Sequence, residues 1–426
     1  MPTIAAHTLG CRVNQYDTEA MLELFLKNGY TAVPITEKAD VYLINTCTVT
    51  GTGDKKSLQL TRRVHRQNPQ ADIILCGCLA QREGENLLKE AGVTLVIGTQ
   101  RRAEVIELYE KAKGAKLSAV EPLDGAVYEE MTIERQQGHT RAVLKIQEGC
   151  DNHCAYCIIP SVRGGVRSRK SGEIFEEAQR LADAGYQELV LTGIHLSSYG
   201  RDFKDGTTLL DAIKAAAKPE RIKRVRLGSL EPTLITESFA AELAKISKLC
   251  PQYHLALQSG SDSVLARMQR RYNTAQYLRS VELLRAVYPD AALTTDVLTG
   301  FPAETEEEFA ETCEFVKRIG FMKLHVFPFS SRKGTKAAGM AGALSKEEKE
   351  RRARILIKIG EELSEKYKAG MVGKTRPVLF ERSEGSMMTG YTPEYIEVTA
   401  PLCAGAIHEI VDIELTRENQ SISGEA

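Results

Sequence analysis

The sequence predicts an α/β protein in three parts: an N-terminal doubly wound parallel sheet, a central open or partial (β/α)6 barrel, and a small C-terminal antiparallel β-barrel. Three patterns carry the prediction. Short β-rich runs alternate with helix-length amphipathic segments up to about Lys113, the alternation restarts at Arg141 through six units, and beyond about Gly370 the apolar period falls to two. A chain of 426 residues also exceeds what one hydrophobic core usually serves. The expected bounds are 1–113, a linker over 114–135, then 136–368 and 369–426.

In the first part the strands are "TIAAHTLG", "VYLINT", "DIILCG" and "TLVIG", separated by segments such as "NQYDTEAMLELFLKNG". Residues 114–140 lose clear periodicity and read as a connection with at most a short strand. The barrel strands are "AVLKI", "ELVLTG", "KRVRLGS", "YHLALQS", "ALTTDVLTG" and "KLHVFPFS". In such barrels chemistry collects at the carboxyl ends of the strands. A charged helix, "SKEEKERRARILIKIGEELSEKYK", leads to "RPVLFER", "MMTGY", "YIEVTA" and "AIHEIVDIEL". Such short antiparallel strands suit either an oligonucleotide-binding module or an inert cap.

Apolar content of 42%, charged content of 27% and a net charge of -1 give no global attraction to polyanions or membranes, so any nucleic-acid contact must come from local patches. The start "MPTIAAHTLGCRVNQ" lacks a basic segment followed by an apolar run, and no apolar stretch approaches the ~18 residues that span a bilayer. A cytosolic protein is expected. There thiols stay reduced, and ten cysteines point to metal binding or catalysis before disulfides.

"EGCDNHCAYCIIP" places Cys150, Cys154 and Cys157 at C-x3-C-x2-C spacing with no fourth cysteine nearby. Ordinary 4Fe–4S carriers use four cysteines, so three would leave one iron open to bind and activate a small molecule. Zinc, with His153 or a distant residue as fourth ligand, is the competing reading. Cys11, Cys47 and Cys78 each follow a predicted parallel strand, and the carboxyl ends of such strands form the ligand crevice of an open α/β sheet. A second three-thiolate site is therefore expected. Cys76 lies inside its strand and reads as packing, as do Cys250, Cys313 and Cys403, which have no partners at ligand spacing.

The cysteine loop, with Tyr156 before its last cysteine, resembles that of the radical S-adenosylmethionine enzymes. Together with "LGCRVNQYDTE", "NTCTVT", "GCLAQ", "EGCDNHCAYCIIPSVRGGVRSR", "TGIHLSSYG", "LQSGSDSVLARMQRRY" and "GFPAETEEEF", the chain resembles the methylthiotransferases over nearly its whole length. The resemblance implies two 4Fe–4S clusters. The cluster of Cys150, Cys154 and Cys157 would chelate and cleave S-adenosylmethionine to a 5'-deoxyadenosyl radical, and an auxiliary cluster on Cys11, Cys47 and Cys78 would hold the sulfur that is methylated and transferred. Tyr156, Gly193, Ser229, Glu231, Gln258 and Asp296, with Ile194 and Gly300, fall where the family binds cofactor or acceptor base. A terminal module similar to a TRAM domain, tRNA at its anticodon stem-loop, and an electron donor such as a flavodoxin or ferredoxin are further implications, with no membrane. "NTCTVT" and "TGIHLSSYG" look most like the branch that acts on N6-threonylcarbamoyladenosine at position 37; the isopentenyladenosine branch is the alternative. A non-catalytic, metal-stabilised RNA-binding protein is the rival class.

Other residues have open readings. Arg163, Arg167 and Arg169 in "RGGVRSR" suit cofactor carboxylate, RNA phosphate or solvent. His195 suits substrate or an ordinary hydrogen bond. Ala303 stands where the family's GFPGET has glycine, an unfavourable exchange if φ there is positive. Lys55, Lys56, Arg62, Arg63 and Arg66 on one predicted helix, with Arg101 and Arg102, form a candidate RNA patch.

Overall fold

The computed structural model describes residues 1–136, 138–402 and 406–422; Cys403 lies outside them. The chain opens with β1 (Thr3–Thr8), α1 (Arg12–Lys27), β2 (Thr31–Ala32), β3 (Val41–Thr46), α2 (Gly51–Gln67), β4 (Asp72–Gly77), α3 (Cys78–Glu83), β5 (Val93–Ile97), α4 (Val105–Ala112) and β6 (Leu117–Ala119). All these strands are parallel, in the order β2-β1-β3-β4-β5-β6. Every residue of β3 is buried because helices cover both faces. Met21, Phe25, Val105 and Leu108 pack on one side, Leu60, Val64 and Leu79 on the other. The order reverses between β1 and β3. Ligands of open α/β sheets bind at such a switch point.

The predicted linker is not a free tether. β6 extends the first sheet, Ile133 is fully buried, and the Tyr16 hydroxyl donates to Met131 O at 2.6 Å. Gln136 exchanges two hydrogen bonds with the backbone of Val143, at 2.9 and 2.7 Å. Such an extended strap satisfies its polar groups through side chains and so shows no periodicity.

The middle region runs β7 (Arg141–Glu148), α5 (Ile159–Arg163), β8 (Arg167–Ser168), α6 (Ser171–Asp183), β9 (Glu188–Gly193), α7 (Leu209–Ala217), β10 (Arg224–Leu227), α8 (Glu237–Ala244), β11 (Gln252–His254), α9 (Asp262–Arg267), α10 (Thr274–Val287), β12 (Ala292–Thr299), α11 (Glu306–Ile319), β13 (Lys323–Pro328) and α12 (Lys346–Met371). β7, β9 and β10 pair in parallel, as do β11, β12 and β13. Parallel bridges Val225↔Leu249 and Leu230↔Leu255 join the two groups, and β8 adds antiparallel to β7. Leu144, Ile146, Leu189 and Leu191 meet the helices in one large core. The fourth strand is shorter than predicted, since Gln258 takes a φ of 70° and only resumes pairing as a bridge to Val297.

The chain ends in β14 (Thr375–Glu384), β15 (Met387–Tyr391), β16 (Glu397–Pro401), β17 (Ile410–Glu414) and β18 (Gln420–Ser421), antiparallel in the order β17-β14-β15-β16-β18. A bulge between Phe380 and Arg382 bends β14 around a core of Val378, Phe380, Met388 and Val398. Among the described residues no helix is long and apolar enough to cross a membrane.

Candidate functional site

The cysteine loop after β7 turns on Gly149, whose φ is +73° and where a Cβ would lie 1.8 Å from Gly165 O. Only glycine suits that position. The loop then coils, with Cys154 N donating to Asn152 O at 2.7 Å and Cys157 N to Cys154 O at 3.0 Å. Cys150, Cys154, Cys157 and Tyr156 line a cavity of ≈ 150 Å³, shared with Ile194, His195, Ser229, Glu231 and Arg270. Burial pushes the Cys150 thiol up to about 11 and the Cys157 thiol up to about 12. An iron cluster would relieve that penalty, because metal ligation deprotonates thiols.

Arg270 escaped the sequence reading, although it lies in the quoted "MQRRY". Its Nη1 donates to Cys154 Sγ at 3.1 Å, its Nη2 to Glu231 Oε1 at 2.7 Å. Burial opposes ionisation of Glu231, but His195, with Nε2 3.3 Å away, and Arg270 hold its carboxyl down to about 2. His195 also bonds Asn152 at 3.1 Å, so it is an ordinary hydrogen-bonded histidine on the cavity wall.

The second set of cysteines meets at the switch point of the first sheet. Asn14 at the start of α1 donates to Thr46 O at 3.0 Å, and Asn45 Nδ2 donates to Asn14 O at 2.9 Å, tying the Cys11 turn to the end of β3. A Cβ on Gly10 would lie 3.0 Å from Cys47 Sγ. Thr46 Oγ1 accepts from Ala80 N at 3.2 Å and so draws in Cys78, the first residue of α3. Burial, with Cys78 and Cys11 beside it, pushes the Cys47 thiol up to about 11. Cys76 is buried in the core, as expected.

Among the described residues, no three His, Cys, Asp or Glu side chains gather closely enough for one metal ion. A zinc site would draw four ligands in to ~2.0–2.3 Å. His153 is exposed.

The arginines of "RGGVRSR" are buried rather than solvated. Arg163 is fully buried, donating to Cys78 Sγ at 3.2 Å, Glu148 Oε1 at 2.8 Å and Asp17 Oδ2 at 3.2 Å. Arg169 is held by Glu177 and by Glu130 at 2.5 Å, and Arg167 donates to Arg163 O at 2.9 Å. Lys145 reaches Asp17 at 2.5 Å, while Arg102 pairs with Asp17, with Glu129 at 3.0 Å and with Glu148 at 3.3 Å. Arg102 is thus buried and unavailable to RNA, and Arg101 is paired with Glu104 at 2.7 Å. On α2, Lys55, Lys56, Arg63 and Arg66 are exposed, and Arg62 pairs with Glu90 at 2.7 Å.

A larger cavity of ≈ 420 Å³ lies inside the barrel wall, lined by Cys11, Arg12, Gly193, Ser229, His254, Asp296, His325 and Phe327 among others. Ser229 belongs to both this cavity and that of the cysteine loop. Asp296 faces it, 3.5 Å from His254 Nε2. Gln258 lines neither cavity; its backbone N donates to Asp296 O at 2.9 Å. Gly300 packs against Lys349 of α12, away from both.

Residues 3–98 match the model of the uncharacterized protein family UPF0004, and residues 144–316 that of the Radical SAM superfamily. The threonylcarbamoyladenosine tRNA methylthiotransferase MtaB of Bacillus subtilis is 40% identical, covering 98% of this chain and 94% of its own. Its namesake in Thermotoga maritima is 35% identical over 93% and 91%. The solved radical S-adenosylmethionine methyltransferase TsrM of Kitasatospora setae shares the fold, with a TM-score of 0.56 at 13% identity over 76% of this chain and 74% of that one.

Proposed function

The chain belongs to the tRNA methylthiotransferases of the radical S-adenosylmethionine superfamily, and from that premise we infer what its two cysteine sets and the cavity between them do. It is an enzyme that converts N6-threonylcarbamoyladenosine at position 37 of tRNA to the 2-methylthio derivative, using S-adenosylmethionine and a 4Fe–4S cluster. Neither isopentenyladenosine nor a non-catalytic role is favoured by these relatives.

Cys150, Cys154 and Cys157 hold the cluster that receives S-adenosylmethionine, and Cys11, Cys47 and Cys78 hold a second. When bound, these groups supply reductive cleavage of the sulfonium and the sulfur to be transferred. The residues around them bind and orient. Glu231, kept anionic by His195 and Arg270, offers an acceptor on the wall of the cluster cavity. Tyr156 lines that cavity, and Ser229 lines both it and the larger one. Gly193 and Asp296 line the space for the acceptor base, and Gln258 supports Asp296 through the backbone.

One observation carries this reading: Ser229 lines both the cavity that holds Cys11 and the cavity of Cys150, Cys154 and Cys157, so a member of each thiol set lies on one of two neighbouring cavities. Its ≈ 420 Å³ part falls within the ~300–1,000 Å³ of small-molecule sites, enough for a flipped base. The C-terminal sheet serves as a TRAM-like module for the anticodon stem-loop, with the exposed cations of α2 adding phosphate contacts. Residues 1–113, 136–368 and 369–426 act as the auxiliary-cluster, radical and RNA-binding units, with 114–135 between them. A flavodoxin or ferredoxin supplies electrons in the cytoplasm, with no membrane involved.

Anaerobic iron and sulfide analysis tests the assignment. About eight irons per chain are expected, and about four after Cys150, Cys154 and Cys157 are all changed to alanine. Loss of 2-methylthio-threonylcarbamoyladenosine from the tRNA of a deletion strain is the matching cellular result. An iron-free protein, or unchanged nucleosides, would overturn the reading.

A further inference from the structure

Arg12 stands immediately after Cys11 and lines the ≈ 420 Å³ cavity, the adjoining groove under the C-terminal sheet, and the pocket over β1. It is half-buried, with the phenol of Tyr395 and the guanidinium groups of Arg141 and Arg226 as its charged or polar neighbours. Each of those neighbours has its own carboxylate, Glu381 at 2.6 Å from Arg141 and Glu188 at 2.8 Å from Arg226. Asp296, the carboxylate across the cavity, is turned to His254. Among the described residues, none places a carboxylate on Arg12.

A half-buried guanidinium with a phenol and two like charges for company is short of an anion. The rest of the wall suits a purine whose substituent carries that anion. Phe327, 45% exposed, gives an aromatic face for the base. His325 leaves Nε2 buried and without a partner among the described residues. Burial and His254 drive its pKa down to about 4, so it meets a ligand as neutral imidazole, ready to bond a hydroxyl or a urea group.

We propose that Arg12 selects the substrate by binding the carboxylate of the threonylcarbamoyl group, in the cavity whose wall it shares with Cys11. This rests on threonylcarbamoyladenosine being the acceptor. The bound carboxylate anchors the N6 substituent beside the sulfur-bearing cysteine set and so fixes the purine between the two thiol sites. An apolar N6 substituent of similar size would strand the guanidinium without a partner, and the site would reject it on that ground.

The test is a substrate-by-variant cycle with the reconstituted holoenzyme. tRNA carrying threonylcarbamoyladenosine is compared with tRNA in which the threonyl carboxylate is replaced by the isosteric carboxamide. Wild-type enzyme is expected to lose roughly 10- to 100-fold in kcat/KM on the carboxamide, the range of one charge-assisted hydrogen bond. Arg12→Met should lose as much on the native tRNA and almost nothing further on the carboxamide, and Arg12→Lys should recover part of the loss. Equilibrium binding of the two tRNAs should show the same ratio without turnover. Equal use of both tRNAs by the wild type overturns the proposal without any variant. Equal losses on both tRNAs in Arg12→Met overturn it as well, assigning Arg12 to a backbone phosphate. Wild-type activity on tRNA bearing dimethylallyladenosine but not threonylcarbamoyladenosine would overturn the substrate reading itself.

Discussion

Arg163 touches both halves of the site. Its guanidinium joins Cys78 of one thiol set to Glu148, two residues before Cys150 of the other. It is also one of three cations, with Lys145 and Arg102, that neutralise Asp17 and Glu148 where both are buried. Removing one partner of a buried ion network leaves uncompensated charge, at a cost of about 3–5 kcal/mol. Arg163→Met should therefore lower the thermal midpoint by several degrees, as differential scanning would show, whereas an unchanged midpoint would mean that Lys145 and Arg102 suffice. Ala303 predicts the opposite sign. Its φ of 59° is the left-handed conformation that the sequence comparison feared. An L-residue there costs about 1–2 kcal/mol, partly offset by the lower chain entropy of alanine. Ala303→Gly should stabilise the chain by about 0.5–1 kcal/mol in denaturant titration, and a destabilised variant would show that the Ala303 methyl contributes packing that outweighs the strain.

The elements explain why the cysteines were legible and their arginines were not. Cys11, Cys47 and Cys78 lie on three separate turns, yet β1, β3 and β4 pair in one parallel sheet, and alternation of β and α segments is enough to predict that their ends converge. No comparable rule places a cation. Arg102, Arg163 and Arg169 look like solvated charges in the sequence because burial of a charge depends on partners from distant elements, here α1, β7, α6 and the 114–135 strap. That strap was unreadable for a related reason, since its hydrogen bonds run through side chains. The basic face of α2 is the converse case, where the expected exposure holds for Lys55, Lys56, Arg63 and Arg66. Changing Lys55, Lys56 and Arg66 together to glutamine should weaken tRNA binding and flatten its salt dependence, by about one unit of slope for each lost phosphate contact. A slope identical to wild type would assign RNA affinity elsewhere.

At the scale of the whole molecule, the C-terminal sheet is fastened to the entry ends of the barrel strands by charge. Arg224 donates to Tyr391 O at 3.0 Å and Arg226 to Pro393 O at 2.8 Å, while Glu188 at the start of β9 neutralises both guanidinium groups. Arg226 also stacks 4.6 Å from the ring of Tyr395, which lines the larger cavity together with Arg12. Docking of the sheet thus shapes the cavity. Burial opposes ionisation of Glu188, yet Arg226 and Arg224 hold its carboxyl down to about 2. A carboxylate whose pKa is depressed by folding adds stability above its unfolded value of ~4.3, and that contribution is lost as pH falls toward 2. The depression corresponds to roughly 3 kcal/mol at neutral pH. Glu188→Gln should accordingly be less stable than the wild type at pH 7 in thermal unfolding, and the gap should close progressively between pH 4 and pH 2. A gap that stays constant across that range would mean that the two arginines dock the sheet through its carbonyls alone, with Glu188 serving only to fill space.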